Sequence, residues 1–151
     1  MKNILVTGGN GFIGSNLIRQ FLDKKEFNLI INIDKNSKQS IDDKFLKIKS
    51  KRYIKIKDNL SSSRKLLNCL NKYKINYILH LAAETHVDRS ITSPSIFIKS
   101  NIDPTVALLE AFSKYHRLNK NRDLRFIYFS TDEVFGSVNK GEKRFNINSK
   151  L

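Results

Sequence analysis

Short apolar runs alternate with amphipathic stretches along this chain. Residues 3 to 7 (NILVT) form a buried-strand run that stops at glycines. Residues 12 to 25 then place Ile13, Leu17 and Phe21 on one diagonal, with Ile18 and Leu22 beside it, which predicts a helix. LIINID (29 to 34) reads as a strand that ends on an acid, and residues 35 to 52 read as a polar, lysine-rich loop with at most a helical turn. YIKIK (53 to 57) alternates as an edge strand does. Residues 61 to 73 open on capping serines and present Leu66, Leu67, Leu70 and Tyr73 on one face, with Cys69 beside it as a small core residue. NYILHLAA (76 to 83) is the fourth strand. A long helix follows, with Ser93 as its cap and Pro94 at its first position, running through TVALLEAFSKYH. LRFIYFS (124 to 130) is the fifth strand, and FSTDEVFG (129 to 136) carries it out into a loop. Strands that alternate with helical or loop connections predict an α/β domain with a parallel sheet and right-handed crossovers.

The bulk numbers narrow the class. A length of 151 residues suits one domain with a sizeable core. The single cysteine excludes an internal disulfide and fits a reducing cytoplasm. His80, His86, His116 and Cys69 lack metal-ligand spacing. The apolar runs are far shorter than a membrane span, and MKNILVTGGNG reaches glycine too soon for a signal peptide. The net charge of +14 raises nucleic-acid binding, and residues 35 to 74 concentrate it, with thirteen Lys/Arg against three Asp. No zinc-finger, helix-turn-helix or aromatic-interleaved motif accompanies that charge. Lys, Asn and Ile together make up 54 of the residues, a bias that fits an AT-rich genome.

The chemistry begins at TGGNGFIG. Gly8, Gly11 and Gly14 follow a predicted strand and open a predicted helix, as a dinucleotide-binding turn requires. The first glycine permits the turn, the second brings backbone to a pyrophosphate, and the third lets helix pack on sheet. Asp34 stands twenty residues beyond Gly14 at the end of the next strand. A carboxylate there accepts hydrogen bonds from both adenosine-ribose hydroxyls and repels a 2′-phosphate, which favours NAD over NADP. Lys35 beside it weakens that preference. Asp132 and Glu133 are adjacent carboxylates at a strand end, either a solvated turn or an acid and a base.

ILVTGGNGFIGSNL, HLAAETHVDRSI, LLEA and FSTDEVFG resemble the extended short-chain dehydrogenase/reductase family, and within it the dTDP-glucose 4,6-dehydratases. The resemblance implies a Rossmann-like, doubly wound parallel sheet of about five strands in the order 3-2-1-4-5, with NAD as cofactor. By the same resemblance Phe12 and Ile13 lie over the pyrophosphate turn, and Asp34 and Lys35 meet the adenosine ribose. Asp58 and Asn59 meet adenine, Leu81, Ala82 and Ala83 line the cofactor, and Ser100 adds a further contact. Thr85 is shared between cofactor and sugar, and Thr131 binds the sugar. Glu133 is then the base that takes the proton from the sugar's fifth carbon, and Asp132 the acid that protonates the departing hydroxyl of the sixth. Such a pair must hold different protonation states. Related epimerases lack the Asp-Glu pair, and related GDP-mannose dehydratases carry serine in place of the aspartate.

The chain also departs from that pattern. No Tyr-x-x-x-Lys follows STDEV, so the base for the oxidation step and the substrate domain are expected to be absent. Pro104 replaces a usual glycine and is expected to kink the long helix. Phe135 and Asn146 replace a usual tyrosine and glutamate, and the loop after Asp34 is short. The expectation is therefore an incomplete NAD-binding domain over residues 1 to 151, inactive alone on dTDP-glucose. A non-catalytic NAD-binding fragment and a nucleic-acid binder through residues 35 to 74 remain the alternatives. An unpaired fifth strand would leave an edge open to self-association.

Overall fold

The computed structural model describes residues 1–36, 48–138, 141 and 144–149. Among them five strands form one parallel sheet: β1 (Lys2–Thr7), β2 (Phe27–Asp34), β3 (Tyr53–Lys57), β4 (Tyr77–His80) and β5 (Arg125–Tyr128). The spatial order is β3-β2-β1-β4-β5, as the resemblance implied, with β3 on an edge as its alternation predicted. The order reverses direction beside β1. Connections therefore leave β1 on opposite sides, and a crevice opens at the carboxyl ends of β1 and β4.

Helices cover both faces because strand side chains alternate. In β1, Ile4 and Val6 point to one face, where they meet Ile18 of α1 (Phe12–Asp23) together with Ile30 and Leu79. Leu5 points to the other, between Ile31 and Ile78 on the neighbouring strands. There it packs with Leu66 and Leu70 of α2 (Ser63–Lys72), and with Leu108, Ala111 and Tyr115 of α5 (Asp103–Leu118). Both strand faces being buried explains why β1 and β2 read as near-continuous apolar runs. Ser62 caps α2 by accepting a hydrogen bond from the Lys65 N–H at 3.4 Å.

The long fourth connection is broken into pieces. A short α3 (Val87–Thr92) precedes α4 (Pro94–Phe97), then a π-helical segment over Ile98–Ile102, then α5. Ser93 holds the predicted cap position but makes no side-chain capping bond. The π-helical segment ends just before Pro104, which has no N–H for the i−4 bond; the expected irregularity lies here. The lysine-rich loop predicted over residues 35 to 52 falls largely in 37–47, outside the described residues.

Candidate functional site

A cleft of about 920 Å³ lies at the carboxyl ends of the strands. Every residue given a cofactor, substrate or catalytic role from the sequence lines it except Asp132. Gly8, Gly11, Phe12, Ile13 and Gly14 form one wall, and Asp34, Lys35, Asp58 and Asn59 the end where the resemblance implies adenosine contacts. Leu81, Ala82, Ala83 and Thr85 come from the loop after β4, and Ser100 from the π-helical segment. Thr131 and Glu133 enter from beyond β5.

The glycine turn is closed by backbone contact. Gly8 has φ +70°, and a Cβ on it would sit 2.8 Å from the Ala82 backbone. A Cβ on Gly14 would sit 2.5 Å from the Gly8 carbonyl oxygen. Gly11 caps α1 without a side-chain hydrogen bond. The first N–H groups of α1 thus have no side-chain acceptor and carry the helix's partial positive charge toward the cleft. Phe12 and Ile13 are exposed there, at 78 % and 57 %.

The sequence reading missed a buried amide network that sets this turn against β2. Asn32 is buried within an otherwise apolar strand. Its Oδ1 accepts from the Gly9 N–H at 3.1 Å, and its amide nitrogen donates to Asn10 Oδ1 at 2.9 Å and to the Tyr53 hydroxyl at 2.8 Å. Asn10 donates in turn to Asn36 Oδ1 at 2.5 Å. Asp34 is 7 % exposed, and its carboxylate accepts from the Asn10 N–H at 2.9 Å and the Asn36 N–H at 2.7 Å. The turn and the acid are thereby one rigid unit. The legible signal was the asparagine in LIINID, a polar side chain where both faces of a strand are buried.

His80 is the second missed element. It is fully buried at the end of β4, with Thr7 Oγ1 2.6 Å from Nδ1 and Thr105 Oγ1 2.9 Å from Nε2. The Thr105 hydroxyl donates to the Asn101 carbonyl, so it accepts from His80 and Nε2 carries the proton. Nδ1 then accepts from Thr7, whose oxygen accepts the Ala82 N–H at 3.3 Å. Burial pushes the imidazole pKa down to about 4, so the ring is neutral and ties β1, β4 and α5 together under the cleft. Burial likewise raises the Cys69 thiol to about 11, which keeps it inert.

The carboxylate pair is built differently. Thr131 precedes a 3₁₀ turn over Asp132–Phe135 and accepts the Glu133 N–H at 3.4 Å. Its hydroxyl lies 3.1 Å from Asp132 Oδ1. Glu133 lines the cleft, Asp132 is not among its lining residues, and all three side chains are exposed. A Tyr-x-x-x-Lys spacing does occur earlier, at Tyr53 and Lys57. On β3, however, four residues span about 13 Å, too far for a lysine to act on a phenol, and the Tyr53 hydroxyl is held by Asn32.

A family model described as GDP-mannose 4,6 dehydratase matches residues 5–148. The chain belongs to this family. Among relatives in it, the dTDP-glucose 4,6-dehydratase of Haemophilus influenzae is 40% identical over 149 residues, which cover 96% of this chain and 44% of that protein. The enzyme of the same name from Salmonella typhimurium is 39% identical over 142 residues, covering 89% and 38%. Of solved structures, the Streptomyces venezuelae dTDP-glucose 4,6-dehydratase with NAD bound superposes with a TM-score of 0.83 at 30% identity, over 99% of this chain and 45% of that one. The Bacillus anthracis enzyme in complex with NAD gives 0.81 at 30%, over 100% and 44%. The chain thus spans less than half the length of the family members it matches. The fold is the α/β Rossmann-like sheet expected from the sequence. No helix among the described residues is long and apolar enough to cross a membrane.

Proposed function

We propose that this chain is the NAD-binding N-terminal part of a dTDP-glucose 4,6-dehydratase. The observation that carries this reading is the closed glycine turn at the uncapped start of α1, locked through Asn10 to the Asp34 carboxylate. The residues fit the cofactor. The turn leaves no room for side chains where a pyrophosphate approaches, and α1 offers it unpaired N–H groups. Asp34 suits a free ribose diol, and the cleft volume suits a dinucleotide. The fourteen cofactor contacts expected from the sequence, Gly8 to Ser100, line one continuous surface, which supports assigning them together. When bound, NAD supplies the hydride acceptor for the sugar's fourth carbon.

The chain's own groups then divide the elimination. Thr131 holds the sugar and starts the turn that carries the acids. Glu133, facing the cleft, takes the proton from the fifth carbon. Asp132 gives a proton to the leaving hydroxyl of the sixth. The aspartate after Thr131 supports the dTDP-glucose 4,6-dehydratase reading over the GDP-mannose dehydratases, which carry serine there. Oxidation needs a phenol and lysine on a further helix, so the 151-residue chain alone is inactive on the sugar. Binding is tested by calorimetry with NAD⁺, NADP⁺ and ADP-ribose; NAD⁺ and ADP-ribose bind, and a clear preference for NADP⁺ overturns the reading. Catalysis is tested by supplying the relatives' C-terminal part in trans. Restored dehydration should fall about 10²–10⁴-fold in Glu133→Gln, and activity that survives that change removes Glu133 as the base.

A further inference from the structure

Lys35 follows the ribose-binding acid directly and would be the natural partner for a 2′-phosphate. The structure gives its ammonium another occupation. Lys35 Nζ donates to Glu84 Oε1 at 2.5 Å, across the cleft from the end of β2 to the loop after β4. Both residues line the cleft. The two partners are not equally free: the Glu84 side chain is 11% exposed and the Lys35 side chain 44%. Glu84 is also fixed by its backbone. Its N–H donates to Asn101 Oδ1 at 2.8 Å, and its carbonyl accepts from Asn101 Nδ2 at 3.0 Å. One side-chain amide thus pairs with Glu84 through both main-chain groups, as a neighbouring strand would. Asn101 is presented by the π-helical segment, the irregularity next to Pro104. The carboxylate is therefore the anchored partner, and the flexible lysine comes to it.

We infer that Glu84 is a specificity-determining residue: by holding Lys35 across the cleft, it withholds that ammonium from a 2′-phosphate and keeps the adenosine end selective for an unphosphorylated ribose. The inference rests on the dinucleotide reading above. The charge arithmetic supports it. Asp34, Lys35 and Glu84 together carry one net negative charge where the ribose would lie, and a phosphate of charge near −2 meets repulsion with no free cation in the trio. Without the Glu84 charge the trio is neutral and its lysine is released. Asp34 alone disfavours the phosphate; Glu84 disarms the neighbour that would compensate it.

The test is calorimetric titration of the whole chain with NAD⁺, NADP⁺ and 2′,5′-ADP at low salt. In Glu84→Gln the ratio of NAD⁺ to NADP⁺ affinity should fall about two- to fivefold, the scale of a partly shielded ion pair, and 2′,5′-ADP should bind more tightly by a similar factor. The change should vanish in the Lys35→Gln/Glu84→Gln double variant, because its agent is the released lysine. An unchanged ratio in Glu84→Gln, or a change that persists in the double variant, overturns the inference while leaving the dinucleotide reading intact. Should Glu84→Gln not fold, the more conservative Glu84→Asp decides the matter: a carboxylate drawn back by one methylene loosens its hold on Lys35, so the ratio should fall in the same direction, and an unchanged ratio overturns the inference. If the unmodified chain binds neither dinucleotide, both readings fall.

Discussion

The glycine-turn end of the sheet and the β5 end are made of similar residues and built to different standards. At the first, Leu5, Val6, Ile30 and Ile31 are fully buried, and the polar groups among them, Thr7, Asn32 and His80, are each hydrogen-bonded. No buried side-chain nitrogen or oxygen among the described residues lacks a partner. At the second, Phe126 packs on Phe112 of α5 with ring centroids 5.5 Å apart, but the alternate residues Ile127 and Phe129 are 45 % and 44 % exposed. The binding geometry is thus held by packing within the chain. The acids of the STDEV turn sit on exposed backbone, and a rigid catalytic geometry there requires cover from other surfaces.

The comparison breaks most visibly in the core. Leu5→Ala in β1 should cost about 2–5 kcal/mol, whereas Ile127→Ala in β5 should cost under about 1 kcal/mol. Urea unfolding of the two variants checks this, and equal costs would mean that β5 is covered in solution. The edge itself gives a companion measurement. The 151-residue chain should sediment as a self-associating species at micromolar concentration, and Ile127→Lys should shift it toward monomer.

Acid sharpens the contrast next. His80 is neutral in the fold with a pKa of about 4 and takes up a proton on unfolding at its ordinary value of about 6.5. The unfolded chain therefore binds more protons between those values, and stability falls as pH drops from about 6.5 to about 4. This one group accounts for a loss of about 3 kcal/mol across that window. Unfolding free energies at pH 7 and pH 4, compared with those of His80→Gln, measure it; the variant should lose that part of the slope.

Asp34→Ala should weaken NAD⁺ by about 1.5–3 kcal/mol through the loss of charge-assisted hydrogen bonds. It also leaves the Asn10 N–H without its acceptor, so thermal stability should fall with affinity. At the other end, Asp132→Asn should move stability by no more than about 0.5 kcal/mol, since its side chain is exposed. A large change in the melting temperature of Asp132→Asn would show that the turn is structural.

Much of the site was legible because its chemistry is local. TGGNGFIG followed by a helix and then an acid at the next strand end is a pattern of adjacent backbone requirements, and the cleft gathers those residues as read. The strand order came with the family resemblance. What was not legible depends on pairs distant in the chain. Lys35 and Glu84 are 49 residues apart, and Glu84 and Asn101 are joined through a π-helical segment that no periodicity announces.

By itself the sequence determined most of the elements, the parallel sheet and the glycine turn, since apolar period, glycine freedom and helix ends act over a few residues. Tertiary structure alone decided the rest: that Asn32 and His80 are buried and satisfied, that Lys35 is held across the cleft, and that Glu133 lines the cleft. Those outcomes turn on which polar groups lose water when the layers close, and burial is a property of the packed whole.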